Sequence, residues 1–146
     1  MPLQTVFYSK VNAIGTVLLH PLGTRRIEGD KIYKYVKVGG TVAADAALDH
    51  TGQGTVVLFT GIGPGAGFNQ TGSALAANDY FWMQIHGEVG GLDTDTGMTA
   101  VGYPVGVTDA DGVTLEDPGA GVSIFGNTVV AVKHATLGII YLSGLA

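Results

Sequence analysis

Short, strand-like runs interrupted by clusters of glycine restrict the fold of this chain more than any other feature of its sequence. Each run is rich in valine, isoleucine, threonine and aromatic residues, which favour extended backbone. The runs span residues 5–11, 16–20, 31–38, 55–60, 80–86, 102–107, 121–125, 128–134 and 137–142. Turn-forming clusters separate them, at residues 23–30, 39–40, 61–67, 109–112, 116–121 and 126–127. The pattern predicts an all-β protein.

One helix candidate stands against that pattern, in the alanine-rich residues 42–48. Glycines close on both sides leave it too short to be stable alone. With 146 residues, the chain suits one domain. We therefore predict an all-β fold with a small single domain, an antiparallel β barrel or sandwich with long glycine-rich loops. Residues 1–12 are expected to form an extended N-terminal arm, and residues 13–146 the β domain.

Charged residues are scarce, at 13% of the chain against a usual ~25%. Such a surface is poorly charged for a solitary soluble protein, so we expect an oligomer or a subunit of a larger assembly. The charge is also uneven, since residues 1–40 carry a net charge of +4 and residues 41–146 one of −9. This asymmetry could bring a basic edge of one subunit to an acidic edge of another. Chance clustering on a solvated face is the alternative.

Several function classes receive no support from the sequence. The chain has no cysteine, which excludes disulfides, thiolate metal sites and cysteine nucleophiles. Its first residues lack the basic and apolar regions of a secretory signal. No apolar run approaches the roughly 18 residues that cross a bilayer, so no membrane partner is expected.

The glycine run at residues 61–67 fits the GxGxxA pattern of a dinucleotide-binding turn through Gly61, Gly63 and Ala66. Such a turn must open a helix whose first N–H groups face the phosphates. The residues that follow leave room for one or two helical turns, and Pro64 removes one of the N–H groups. We therefore interpret the run as a connection between two strands.

Motifs with catalytic or metal-binding chemistry are weak. The tripeptide Asp95-Thr96-Gly97 resembles the carboxylate motif of dimeric, retropepsin-like aspartic proteases, but polar residues precede it where that family has an apolar strand. The sequence at 109–112 fails as a calcium loop and favours a tight hairpin around Asp111-Gly112. Neither the histidine spacing nor the serine contexts match known sites. We predict no catalytic residue, no metal and no cofactor.

Two strands have faces suited to binding. In residues 80–86, alternation assigns Phe81, Met83 and Ile85 to the core, and Tyr80, Trp82, Gln84 and His86 to the opposite face. This second face suits a subunit interface or, alternatively, a platform for stacking sugars. In residues 31–38, one face carries a combination of basic and aromatic side chains that single-stranded nucleic acid favours, namely Lys31, Tyr33, Tyr35 and Lys37. The acidic whole argues against that partner, and we expect no nucleic acid.

Both ends of the chain are strand-competent. Residues 137–142 are apolar on both faces, which suits a strand buried in a sheet or between subunits. Residues 1–10 form a mostly uncharged segment that could add a strand to the open sheet edge of a neighbour.

A family resemblance follows from four stretches, "LGTRRIEGDKIYKYVKVGGTVAADAAL", a glycine-rich stretch, "ALAANDYFWMQIHGEV" and "GYPVGVT". Over residues 22–107 the chain resembles the small head decoration, or cement, proteins of tailed bacteriophages. Arg25, Arg26 and the glycines at 61–67 depart from that family's pattern.

The resemblance implies a non-enzymatic, β-tulip-like protein, commonly a homotrimer, on the outer surface of the major capsid protein lattice. It implies a virion location, reached from the host cytoplasm during assembly. The capsid-contact arm would comprise Leu3, Gln4, Thr5, Val6, Phe7 and Tyr8. Deletion of residues 1–9 is expected to abolish capsid binding and leave the fold intact. The alternatives are a virion-associated carbohydrate-binding β module and the retropepsin-like protease.

Overall fold

A computed structural model of the chain describes residues 9–59 and 65–94, and the backbone of four further strands. Side chains are described as far as Gly90. The strands are β1 (Arg25–Glu28), β2 (Lys31–Val38), β3 (Ala47–Gly52), β4 (Thr55–Leu58), β5 (Gly67–Phe68), β6 (Tyr80–Thr94), β7 (Pro104–Val107), β8 (Thr114–Glu116), β9 (Ile124–Lys133) and β10 (Leu137–Leu142).

The first six strands form one mixed sheet. On one side β2 pairs with β6, and on the other it pairs first with β1 and then with β4. From β4 the pairings continue through β3 and β5 to β6, and so return to β2. The pairing of β2 with β4 is parallel, so the prediction of an antiparallel sheet is wrong here. Residues 39–46 reverse the direction of the chain, so β3 runs opposite to β2. The β3–β4 hairpin reverses the direction again, which leaves β4 parallel to β2.

The long strand β6 pairs with one group of strands along its first half and with another group along its second half. Its first half, up to His86, pairs with β2 and β5, and from Gly87 onward it pairs with β10. Gly87 has φ +96°, a conformation that side chains other than hydrogen disfavour, and it lies beside a register shift between β2 and β6. β10 continues to β9, β7 and β8, and β8 runs parallel to the last residues of β6.

Alternation along β2 and β6 creates two apolar clusters. The main core includes Phe81, Met83 and Ile85, which are buried as the sequence predicts. Its other members are Val36, Val38, Val42, Ala46, Ala47, Leu48, Val56, Phe59, Ala66, Phe68, Leu75 and Val89. A second cluster, which we call the aromatic cluster, consists of Tyr33, Tyr35 and Trp82, with Val11 and Tyr80 packed against it. The sheet is therefore covered on both faces at this point.

A buried asparagine fixes the loops beside the core. The Asn69 amide donates to the carbonyl oxygens of Ala43 and Ser73, each at 2.9 Å. Its Oδ1 accepts from the backbone N–H and the hydroxyl of Thr71. Because all these partners lie outside strands, one fully satisfied side chain replaces the hydrogen bonds that a regular strand would supply.

The helix candidate at residues 42–48 forms no helix, as expected from its short length. Val42 forms an isolated bridge with Leu75, Asp45 has φ 60°, and β3 begins at Ala47. Helical backbone would turn part of this apolar run to solvent, whereas a bridge and a strand bury Val42 and residues 46–48 together. The described residues contain no helix, and therefore none that could span a membrane.

Most predicted strands are confirmed, with instructive exceptions. The predictions at residues 31–38, 55–60, 80–86, 102–107, 128–134 and 137–142 correspond to β2, β4, β6, β7, β9 and β10. The turn predicted at Gly126-Asn127 is wrong, because β9 continues through it. Residues 16–20 form no strand, and β1 lies inside a predicted turn cluster. The strands on either side of Asp111-Gly112 pair antiparallel, as a hairpin requires; the turn itself lies outside the described residues.

Candidate functional site: an N-terminal segment held on an aromatic cluster

The aromatic cluster forms where β2 and β6 pair. Tyr35 lies opposite Trp82 in the register, so both side chains point to the same face of the sheet. Their ring centroids are 5.0 Å apart, and Tyr80 stacks on Tyr35 at 6.2 Å. Trp82 and Tyr35 retain 1% and 3% of their exposure, so something other than the sheet covers them.

The cover is residues 9–22, which we call the N-terminal segment. Ser9 is its main anchor, because the indole N–H of Trp82 donates to Ser9 Oγ at 2.9 Å. The same Oγ lies 3.1 Å from Nε2 of His20, at the other end of the segment. Arg26 on β1 donates to the Ser9 carbonyl oxygen at 2.6 Å. Ser9 thus links the N-terminal segment to β1 and to β6, and it also links the two ends of the segment to each other.

The side chains of His20 and Arg26 cover the aromatic cluster on the side away from the sheet. The His20 ring meets Tyr35 edge-on at 5.0 Å and lies 5.2 Å from the Trp82 ring. The guanidinium carbon of Arg26 lies 5.6 Å from the Trp82 ring centroid, within range of a cation–π contact. Glu28 forms an ion pair with the same guanidinium and so fixes its orientation.

Backbone hydrogen bonds hold the middle of the segment. Gly15 exchanges two of them with Tyr80, at 3.1 and 2.7 Å. The N–H of Leu19 points to the Tyr35 hydroxyl at 3.4 Å, and that of Gly23 donates to the Tyr35 carbonyl at 2.8 Å. The segment is therefore positioned by the sheet beneath it.

The outer side of this segment is apolar and exposed. Val17, Leu18 and Leu19 are consecutive and retain 66%, 51% and 52% of their exposure; Ile14 and Leu22 flank them at 37% and 38%. We call these five residues the apolar loop. Consecutive exposed apolar side chains on an ordered backbone cost hydration free energy and are typical of a binding surface.

A serine hydroxyl against a histidine nitrogen also occurs in hydrolases, where histidine activates the nucleophile. Here the indole N–H of Trp82 occupies a lone pair of Ser9 Oγ, which weakens it as a nucleophile. An open groove among the described residues does not include Ser9 or His20, since it is lined by Leu22, Gly23, Lys34, His50, Gly52, Gln53 and Gly54. The geometry favours an anchoring role for Ser9. No cluster of potential metal ligands occurs among the described residues.

The four predicted interface residues differ in how much of each side chain is exposed. Trp82 and Gln84 are buried within the chain itself, and the Gln84 amide donates to the carbonyl oxygens of His86 and Glu88. Tyr80 and His86 are partly exposed. A subunit contact through this face stays a prediction, and only these last two side chains present surface for it. A sugar platform would need an exposed Trp82 ring.

The remaining candidate stretches lie partly within and partly outside the described residues. Tyr33 and Tyr35 are buried in the aromatic cluster, so they do not offer the stacking faces that single-stranded nucleic acid requires. The arm residues Leu3, Gln4, Thr5, Val6, Phe7 and Tyr8 lie outside the described residues, as does Asp95-Thr96-Gly97. The run at 61–67 connects β4 to β5, and a strand rather than a helix begins at Gly67.

Sequence reasoning missed Ser9, His20 and Arg26 as partners of Trp82. Their separation along the chain gives no local pattern. One usable signal was the run Val17-Leu18-Leu19, whose three successive apolar residues fit neither face of an alternating strand.

Comparison of the chain with protein-family models, with curated proteins and with solved structures finds no match.

Burial of Tyr33 leads to a prediction about alkaline pH. Desolvation raises its pKa above the ordinary value of 10.0, and Glu28 and Asp30 add to this, while Arg26 opposes it. The pKa of Tyr33 is higher in the folded chain than in the unfolded chain, so its neutral phenol favours the folded state. This contribution to folding stability is complete below about pH 10 and is lost as pH rises through the folded pKa. We expect tyrosinate absorbance to show a late-titrating tyrosine that is missing in Tyr33→Phe. If Tyr33→Phe removes a tyrosine that titrates normally, the prediction is wrong.

Proposed function

We propose that this chain is a non-enzymatic capsid decoration protein that binds the outer surface of a major capsid protein lattice and stabilises the head. The observation that carries the proposal is the apolar loop, an exposed hydrophobic surface held in place by Ser9, His20 and the aromatic cluster. Sequence resemblance to phage cement proteins supports the identity of the partner. The self-association expected on the lattice is a homotrimer.

The architecture suits this role. The pairings that lead from β2 through β4, β3, β5 and β6 back to β2 support closure of the first sheet into a small β barrel. Such a barrel is a stiff base that fixes the backbone of the apolar loop. A preorganised loop loses little conformational entropy on binding, so that modest contacts, repeated over a shell, add through avidity.

Arm residues Leu3 to Tyr8 are proposed to pair with a strand edge of the capsid protein. The structure changes the deletion that should test this. Ser9 anchors the N-terminal segment, so removal of residues 1–9 would also loosen the aromatic cluster. Removal of residues 1–8 leaves this anchor in place and is the cleaner experiment.

The decisive measurement is binding to expanded empty shells of the virus that encodes the chain. The triple variant Val17→Ser, Leu18→Ser, Leu19→Ser should lose about a hundredfold in affinity, since roughly 3 kcal/mol of apolar burial is removed. Its unfolding midpoint should stay near that of wild type, because these side chains are exposed. A matched control is Ala74→Ser, Ala76→Ser, Ala77→Ser, on another exposed turn.

Cosedimentation with the shells, followed by quantification of bound protein, provides the readout. Wild-type binding by the loop variant would remove the apolar loop from the proposal. Failure of the wild-type protein to bind any shell would overturn the proposed function as a whole.

A further inference from the structure

Strand β1 lies at the edge of the sheet that the structure describes. Among the described residues it pairs with β2 alone, in an uninterrupted register from Arg25↔Lys34 to Glu28↔Lys31. The N–H of Tyr35 donates to the carbonyl oxygen of Thr24 at 2.8 Å. Alternation then turns the backbone of residues 26 and 28 toward β2 and that of Arg25 and Ile27 away from it.

This edge is short and carries three charged residues, which protect sheet edges, but it lacks the other usual devices. It has no proline and no bulge, and its Ile27 side chain is 73% exposed, the highest value among the large apolar residues described. Ile27 lies opposite Ile32, which packs at the margin of the main core. An open edge with an apolar residue at its centre is a template for another strand.

We propose that β1 pairs antiparallel with β1 of a second copy of this chain, with Ile27 opposite Ile27 on a two-fold axis. The outward N–H and C=O groups of Ile27 then bond reciprocally to those of the second copy. This register also places Arg26 of each chain opposite Glu28 of the other. The next register with outward groups aligned would place Arg26 opposite Arg26, which like-charge repulsion disfavours. The charges of β1 therefore select one pairing with a second copy.

The contact is isologous, so it is separate from any three-fold ring of subunits. It does not rest on the proposed function. Four residues a side bury far less than a stable interface of about 1,600 Å². The pairing is thus weak between free chains and strong where copies are held close together, as repeated subunits on one surface are.

The absence of cysteine from the sequence makes a direct test possible. In the proposed register, the Cα atoms of the two residues 27 lie about 5.5 Å apart, within the range that a disulfide spans. We expect purified Ile27→Cys to form a disulfide-linked dimer under mild oxidation on the order of ten times faster than Thr41→Cys, an exposed control away from β1. Non-reducing electrophoresis against time gives the rates.

A second pair of variants tests the register. Adding Glu28→Lys to Ile27→Cys places a lysine opposite Arg26 of the second copy and should bring cross-linking down to the control rate. Asp30→Lys makes the same charge change beyond the end of β1 and should leave the rate unchanged. Equal rates for Ile27→Cys and Thr41→Cys would overturn the proposal. So would slow cross-linking that becomes fast on removal of residues 1–8, because the chain's own arm would then cover the edge.

These measurements use the purified chain without shells. A failure here therefore leaves the proposed function standing, and a failure of shell binding leaves the β1 pairing standing.

Discussion

Replacement of Trp82 by alanine is expected to lower the free energy of unfolding by about 3–5 kcal/mol, the usual cost of truncating a buried large aromatic residue. Trp82 retains 1% exposure and contacts His20, Tyr35 and Arg26. Its removal also deletes the hydrogen bond that anchors Ser9, so the N-terminal segment should detach first. Urea unfolding followed by far-ultraviolet circular dichroism measures the loss.

Two milder variants separate packing from anchoring. Trp82→Phe keeps most of the apolar contact and loses the N–H group, and we expect it to cost less than half as much as alanine. Ser9→Ala keeps the ring and leaves a buried indole N–H without its acceptor, at a cost of about 1–3 kcal/mol. Trp82 is the single tryptophan of the chain, so a red shift of its emission in Ser9→Ala would report loss of the cover. Equal stability of Trp82→Ala and wild type would show that the segment does not depend on this side chain.

Addition of one methyl group at Gly67 should have the other large effect. A Cβ there would lie 2.5 Å from the carbonyl oxygen of Gln84 and 2.7 Å from Cγ of Met83. Gln84 belongs to β6, which pairs on both sides, so its backbone has no room to retreat. We expect Gly67→Ala to destabilise the protein by about 3 kcal/mol, at the upper end of overpacking effects.

The matched control is Gly40→Ala, where a Cβ would meet nothing within 4 Å. Its unfolding free energy should change by less than about 0.5 kcal/mol, as for other surface substitutions. Thermal or urea unfolding of the two variants side by side isolates the close approach of β5 to β6 from the general effect of replacing a glycine. Similar stabilities for the two variants would show that β5 does not pack as closely as described.

The two-faced character of β6 could be predicted from the sequence. Strict alternation from Tyr80 to His86 assigns Phe81, Met83 and Ile85 to one face, and the structure buries all three. What alternation does not specify is the fate of the second face. The sequence predicts Trp82 and Gln84 at the surface because a two-layer protein exposes one side of each sheet. Here the N-terminal segment covers Trp82, and Gln84 is buried with its amide bonded to the carbonyl oxygens of His86 and Glu88.

The contacts of the candidate site could not be predicted either, because they join residues that are far apart in the sequence. Ser9 and Trp82 are 73 residues apart, and His20 and Arg26 join them from two further elements. No periodicity links such positions, because each side chain satisfies its local rules without the others. The sequence predicts a strand at residues 16–20, although the three successive apolar residues Val17, Leu18 and Leu19 fit an alternating strand poorly, and the structure has an exposed loop there.

The sequence by itself determined that this chain forms strands and turns, and which face of β6 enters the main core, because both follow from properties of neighbouring residues. Tertiary structure alone decided the parallel pairing of β2 with β4, the strand β1 within a charged turn cluster, and the path of β9 through Gly126-Asn127. Each of these features depends on backbone hydrogen bonds to a strand that is distant in the sequence. Where such a strand is available for pairing, these hydrogen bonds stabilise the backbone more than the local conformational preference of the residues opposes it. The apolar loop belongs to this second group, since its exposure is fixed by what lies beneath it.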